Sequence, residues 1–296
     1  MTRDECIGIG QAAGATLCFS TGAILVRWSV ALSPVEAAAV RMLLGALFVG
    51  IAAWMTGAPF RLSGKDLRRL LPVGIIAALH FLAFIASLHY TTVAHSLTLV
   101  YTAPLFIAAL SPRFFGEPLP PRCLPGTLLA LLGVSVLTGL ELHLSRRMLL
   151  GDLLALASAV TFALYSLFGR RERDRVPLLA YAGWVYLLAG LVMAPFAGGL
   201  LRRGAPLPAL AAVVAMALFP LAVGHTLYNA SVRRLHPSIP NLIATQEVTG
   251  AIVLAWLLLG ETPSLAALAG VAITLFGVGL VLAPEGARLR QGSPAR

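Results

Sequence analysis

The chain has 296 residues, of which 58% are hydrophobic and 11% charged, with a mean hydropathy of +0.88. Soluble domains carry about 25% charged residues, so this composition excludes one water-solvated core and makes lipid the solvent. The net charge of +10 does not point to nucleic acid: the basic residues sit in short loops between apolar runs, with no basic helix face or aromatic-basic patch.

A helix needs about 20 apolar residues to cross hydrocarbon. Isolated strands would leave backbone groups unpaired there, so the runs are read as helices. The first run, 7–27, follows a single basic residue, Arg3, with no small-residue cleavage site, and is read as a retained helix. Further spans are predicted at 34–56, 70–89, 92–112, 123–140, 149–169, 177–198, 208–230, 237–259 and 264–283. Turn signals separate them: Ser33-Pro34, Gly57-Ala58-Pro59, Glu117-Pro118, Gly204-Ala205-Pro206 and Glu261-Thr262-Pro263. Cys6, Cys18 and Cys123 have no metal-ligand spacing and an odd count, and are read as free thiols.

Of the 22 Lys and Arg residues, 16 flank the side holding both termini and 5 the other, with Arg41 inside the second span. The positive-inside rule then predicts cytoplasmic termini in a bacterial-type inner membrane. The loop from Arg170 to Arg175 is the strongest single marker of that side, and lipid headgroups are its expected contacts.

The two halves repeat. Gly8, Phe19, Arg27 and Pro34 match Gly151, Phe162, Arg170 and Pro177 at a shift of 143. Ala86-Ser87, Gly116-Glu117, Gly126 and Gly133-Val134 match Ala230-Ser231, Gly260-Glu261, Gly270 and Gly277-Val278 at a shift of 144. Five spans per half is an odd number, so the second half is expected to run upside down relative to the first. The expected fold is all-α and integral to the membrane: ten transmembrane helices as two inverted five-helix repeats, 1–144 and 145–296. Such repeats are a transporter architecture, with the solute site between the halves near the midplane.

These features resemble the drug/metabolite transporter superfamily, in its ten-helix EamA-type branch. The resemblance rests on the 5 + 5 repeat, the acid-tipped ends Phe115-Gly116-Glu117 and Leu259-Gly260-Glu261, and the Gly-rich helix after each. Ala103-Pro104 resembles the family's usual Pro in helix 4. In helix 9, where the family often has Glu-Pro, Glu247 is kept and Val248 replaces the Pro, which argues against a kink there. The resemblance implies export of small metabolites, amino acids foremost, with nucleotide-sugar or drug transport as the alternative. No cofactor is expected, and the expected partners are a small-molecule metabolite and the lipid bilayer.

Intramembrane polar groups are costly and each asks for a reason. Glu247 is expected about ten residues into the ninth span, as proton acceptor, ammonium ligand, gate or interhelical hydrogen bonder. His80 and His225 fall at nearly equivalent depths in the two halves. Each reads equally as cavity lining or as a helix-packing hydrogen bonder. Phe84 and Asn229 share a helix face with them at i, i+4, and Tyr228 is the repeat mate of Phe84. Phe19, Tyr101, Phe162, Tyr165 and Trp184 lie within spans, where aromatic rings either pack or line a cavity for an amphiphilic solute. Tyr186 belongs to the same group. Arg41 is expected to snorkel outward or pair with Glu36 or a carbonyl, with a substrate carboxylate as the other reading. Glu117 and Glu261 are expected to cap the next helix. Gly126, Gly133, Gly270 and Gly277 make helices 5 and 10 packing struts, leaving helices 1, 3, 4, 6, 8 and 9 around the cavity. An intramembrane hydrolase pairing Ser20 or Ser96 with His80 or His225 is a remote rival, since no Gly-x-Ser-x-Gly elbow or HExxH pair is present. A non-transporting scaffold or receptor is another.

Overall fold

The computed structural model describes residues 3–115, 124–139, 145–172, 175–235, 240 and 243–289, and every described element is helical. Glu117, Cys123, Arg173, Asp174 and the tail beyond Leu289 lie outside the described residues. Cys6 and Cys18 are free thiols.

α1 (Arg3–Ser20) and α2 (Gly22–Trp28) form one span interrupted at Thr21. The Thr21 hydroxyl donates to the Cys18 carbonyl at 2.7 Å, a local bond that competes with the helix ladder. α3 (Pro34–Thr56) starts on a capping box. The Ser33 hydroxyl accepts from the Glu36 N–H, and Glu36 accepts from the Ser33 N–H at 2.8 Å. Pro34 takes the first turn, where its missing N–H costs nothing, and Gly57 at φ 66° ends the helix left-handed. α4 (Gly64–Tyr90) is capped by Ser63, and α5 (Val93–Val100) by Thr92. α6 (Ala103–Phe115) and α7 (Leu124–Gly139) complete the first half.

The second half comprises α8 (Arg146–Glu172), α9 (Leu178–Met193), the short α10 (Gly198–Arg203), α11 (Leu207–Met216), α12 (Thr226–Arg234), α13 (Gln246–Leu259) and α14 (Leu265–Leu289). A π-helical stretch, Ala217–His225, joins α11 to α12 and encloses Pro220. Proline cannot donate, and its ring crowds the carbonyl four residues back. A widened turn relieves both conflicts, and such turns often mark functional sites.

Six helical runs are long and apolar enough to cross a membrane: Arg3–Trp28, Pro34–Thr56, Gly64–Tyr90, Arg146–Phe168, Leu178–Phe196 and Leu207–Ser231. Four shorter apolar stretches, Val93–Ile107, Pro125–Val136, Gln246–Leu259 and Leu265–Leu280, fall on the remaining runs. Two expected continuous helices are broken. The fourth run stops at Tyr101-Thr102 and restarts as α6, with Pro104 in the new first turn, where proline is tolerated. The ninth run turns at Thr245 before α13 begins, although Val248 stands where a kink-forming proline was expected. At the 144 shift Thr245 is the repeat mate of Tyr101, so the two breaks are equivalent.

Packing follows the repeat. α3 lies along α9 and α7 along α14, pairs that exchange of the halves leaves unchanged. α4 lies along α8, and the exchanged pair is α1 with α12, also in contact. Gly133 sets the closeness of α7 and α14, because a Cβ there would strike the Thr274 backbone N, and one on Gly277 the Ala130 backbone N. Large apolar side chains stay exposed along the outer surface, Trp54 at 83% and Leu265 at 86% among them. Lipid contact accounts for so wide an apolar exterior.

Candidate functional site

A continuous string of rings crosses the interior where the halves meet. Phe19 of α1 lies 4.8 Å from His225, centroid to centroid, and 6.3 Å from Tyr228 of α12. His225 meets Phe81 of α4 edge-on at 5.8 Å. Phe81 contacts His80 at 4.7 Å, His80 contacts Phe162 of α8 at 5.0 Å, and Phe162 contacts Tyr165 at 6.3 Å. Phe19 and Phe162 are repeat mates, and so are Phe81 and His225. Two equivalent aromatic groups therefore touch through a pair of mates.

The two histidines differ in their surroundings. His80 is buried, and its Nδ1 lies 3.0 Å from the Ser158 carbonyl and 2.9 Å from the Ser158 hydroxyl. The Ser158 hydroxyl donates back to the His80 carbonyl at 3.2 Å. His80 therefore pins α4 to α8. His225 is half-buried between Phe19 and Phe81, at the end of the π-helical stretch. Phe84 is buried one turn beyond His80, and Asn229 is half-buried one turn beyond His225. Trp184 stands apart from the string: its indole N–H donates to the Phe60 carbonyl at 2.9 Å and its ring stacks on Phe60 at 6.3 Å. Beside Phe60 an apolar groove of about 450 Å³ is lined by Leu43, Leu47, Trp54, Gly183 and Leu187, none of them in the string.

The two helix breaks meet each other. Tyr101, at the first break, donates its hydroxyl to Glu247, just past the second. Glu247 is buried and sits in the first turn of α13, not deep within a long helix as its run suggested. The reason is the Thr245 turn, which starts a new helix within the run read as one continuous span.

Arg41 does not snorkel. It is 3% exposed, its guanidinium lies 4.9 Å from the Phe81 ring centroid, and Glu36 is occupied in the capping box. Arg41 therefore brings α3 against the ring string at Phe81. Glu261 does not cap the following helix. It accepts from the Val93 N–H at 3.1 Å, so it caps α5 in the other half, and it pairs with Arg27 at 2.8 Å. Arg27 also donates to the Thr91 carbonyl at 2.8 Å. The Thr91 hydroxyl donates to Asp152 at 2.7 Å, and Asp152 lies 3.1 Å from His95 Nδ1. This latch closes one end of the molecule across the two halves. Sequence reading missed Asp152 and His95, although a lone Asp at the head of an apolar run was a usable signal. The serines of the hydrolase reading are engaged elsewhere: Ser20 donates to the Thr16 carbonyl at 2.9 Å, and Ser96 bonds Ser87 at 2.6 Å.

Broken helices and an enclosed ring-lined interior between equivalent halves are features of membrane transporters. The model of the EamA-like transporter family matches residues 6–139 and again residues 149–283. The chain belongs to that family, within the drug/metabolite transporter superfamily, and is a multi-pass membrane transporter of small molecules. A solved structure described only as "Crystal structure of protein" is similar in fold, with a TM-score of 0.67 and 21% identity over 97% of this chain and 99% of that one. No curated protein matches the chain.

Proposed function

We propose that the protein is a secondary transporter that exports small metabolites, amino acids foremost, across the cytoplasmic membrane by alternating access. The observation that carries this reading is the meeting of both helix breaks through the Tyr101–Glu247 hydrogen bond, in a molecule whose halves also share the ring string. Discontinuous helices free backbone groups at mid-depth, and transporters place such groups around solute and coupling ion. Phe19, His80, Phe84, Tyr101, Phe162, Tyr165, His225, Tyr228 and Asn229 then supply an amphiphilic lining, with rings for apolar contact and hydroxyl, amide and imidazole groups for orientation. Trp184 lies outside this lining, bonded to Phe60 beside the separate apolar groove.

Ten transmembrane helices in two inverted repeats, 1–144 and 145–296, suit both the odd span count per half and the exchange-invariant packing pairs. Both termini are then cytoplasmic. The Arg27–Glu261 and Thr91–Asp152–His95 contacts hold the opposite, outer end shut, so the conformation is closed to the outside. Glu247 is the gating or proton-coupling residue. Counterflow in proteoliposomes against a panel of amino acids, amines, sugars and nucleotide sugars tests the reading. Trans-stimulated uptake of amino acids is expected. Absence of flux for every solute, in protein of native melting behaviour, defeats it.

A further inference from the structure

Resting on that transport reading, we propose that Arg41 and Tyr186 form an anion subsite that holds the carboxylate of the transported solute. Arg41 enters from α3 and Tyr186 from α9, equivalent helices that pack directly on each other across the halves. Both side chains are almost wholly enclosed, Arg41 at 3% and Tyr186 at 1% exposure. Among the described residues, neither the Nε nor the Nη1 of Arg41 has a hydrogen-bond partner, and neither does the Tyr186 hydroxyl. The Tyr186 ring reaches α3 one turn from Arg41, where a Cβ on Gly45 would lie 3.7 Å from its Cδ2, and Tyr186, Glu247, His80 and His225 are the titratable groups coupled electrostatically to Arg41. Glu247 already accepts from Tyr101, and the face of Phe81 is the guanidinium's ring neighbour.

Buried polar groups in native proteins find partners, and an unmatched buried charge costs far more than an unmatched hydroxyl. An intramembrane arginine that neither reaches an interface nor meets a carboxylate is therefore a site awaiting its counter-ion. A carboxylate takes a guanidinium fork through Nη2 together with either Nε or Nη1, so an unmet donor stands on each of the two faces where such a fork can form, and the Tyr186 hydroxyl is a further donor. Phe81 places this subsite on the ring string, because the same ring that underlies Arg41 touches His80 and His225. A solute whose carboxylate lies on Arg41 thus extends its side chain over Phe81 into the aromatic lining. Solutes without a negative group leave the guanidinium unmatched and are discriminated against by the same physics.

The test is counterflow with matched pairs, an amino acid against its decarboxylated amine and against its carboxamide, in wild type, Arg41→Met, Arg41→Lys and Tyr186→Phe. Loss of charge-assisted hydrogen bonds to a buried ion is expected to lower apparent affinity for the carboxylate solute about 10- to 100-fold. Arg41→Met should do so and also erase the preference over the carboxamide. Arg41→Lys should restore part of it, and Tyr186→Phe should weaken it less. Melting temperature with and without the carboxylate solute is read in parallel, so that misfolding is seen directly. If Arg41→Met folds, transports and keeps the wild-type preference, the subsite is refuted. It is refuted equally if wild type transports but takes the amine and carboxamide as readily as the acid. If Arg41→Met does not fold, that comparison passes to Arg41→Lys and Tyr186→Phe, and an unchanged preference in both also refutes the subsite. Absence of flux in wild type overturns the transport reading itself.

Discussion

His80 and His225 look alike in sequence, and their neighbours separate them. The His80 ring bonds Ser158 and packs against Phe81 and Phe162 inside a buried helix contact. His225 is half-buried, with ring contacts to Phe19 and Phe81. Truncating a packed buried side chain costs about 2–5 kcal/mol, whereas a single aromatic pairing contributes about 0.5–1.5 kcal/mol beyond its buried area. His80→Ala is therefore expected to lower the melting temperature clearly more than His225→Ala. His225→Ala is expected to reduce flux while staying folded. Melting curves and counterflow on the two variants check both halves of this; equal stability losses would place His225 in the packing as well. Glu247→Gln keeps a hydrogen-bond acceptor for Tyr101 but no longer ionises. It is expected to abolish the pH dependence of flux, measured in vesicles clamped at several pH values. Unchanged flux and unchanged pH dependence would leave facilitated diffusion as the better account.

At the scale of elements, two contacts carry the mechanics. The latch joins the end of α2 to the start of α5 and to Glu261, which follows α13. Thr91 is the repeat mate of Leu235, so the hydroxyl that donates to Asp152 at this end is replaced by an apolar side chain at the other. The two ends thus carry different chemistry at these equivalent positions. Glu261→Gln keeps an acceptor for Val93 but removes the ion pair, a loss of about 1 kcal/mol, or roughly a fivefold shift in population. A cysteine placed at Thr98, in a background lacking the native cysteines, is expected to react faster with a water-soluble maleimide in that variant. An unchanged labelling rate would show that the latch does not hold the outer end. The α7–α14 contact is of another kind, backbone against backbone. Gly277→Val has no side chain to displace and must part the helices. A marked fall in melting temperature is expected, larger than for Gly10→Val, where open space surrounds the added atoms.

For the whole molecule, the expectation is that residue 296 lies on the cytoplasmic side, with the N-terminus. A reporter that works only outside the cytoplasm, fused there, should stay silent, while one fused in the loop after α10 should be active. The reverse pattern would overturn the orientation. The helical, membrane-spanning character and the repeat of the two halves were legible in the sequence because hydrocarbon permits so few backbone solutions: long apolar runs can only be helices, and duplication leaves a constant shift. Membership of the EamA-like transporter family was legible for the same reason, since Gly116-Glu117 and Gly260-Glu261 punctuate each half in register. Other features depend on side chains far apart in the chain, which periodicity does not report. Hydropathy reads a run of apolar residues as continuous, so the breaks at Tyr101 and Thr245 were invisible until Tyr101 was seen to bond Glu247. Trp184 and Tyr186 were equivalent as aromatic residues in one span, yet one donates to Phe60 and the other stands enclosed against α3 at Gly45, one turn from Arg41. Arg41 itself sits only seven residues past Pro34, close enough in sequence to reach an interface. Only the packing of α3 against α9 decides that its charge points inward, because the direction of a side chain is a property of its neighbours rather than of its own helix.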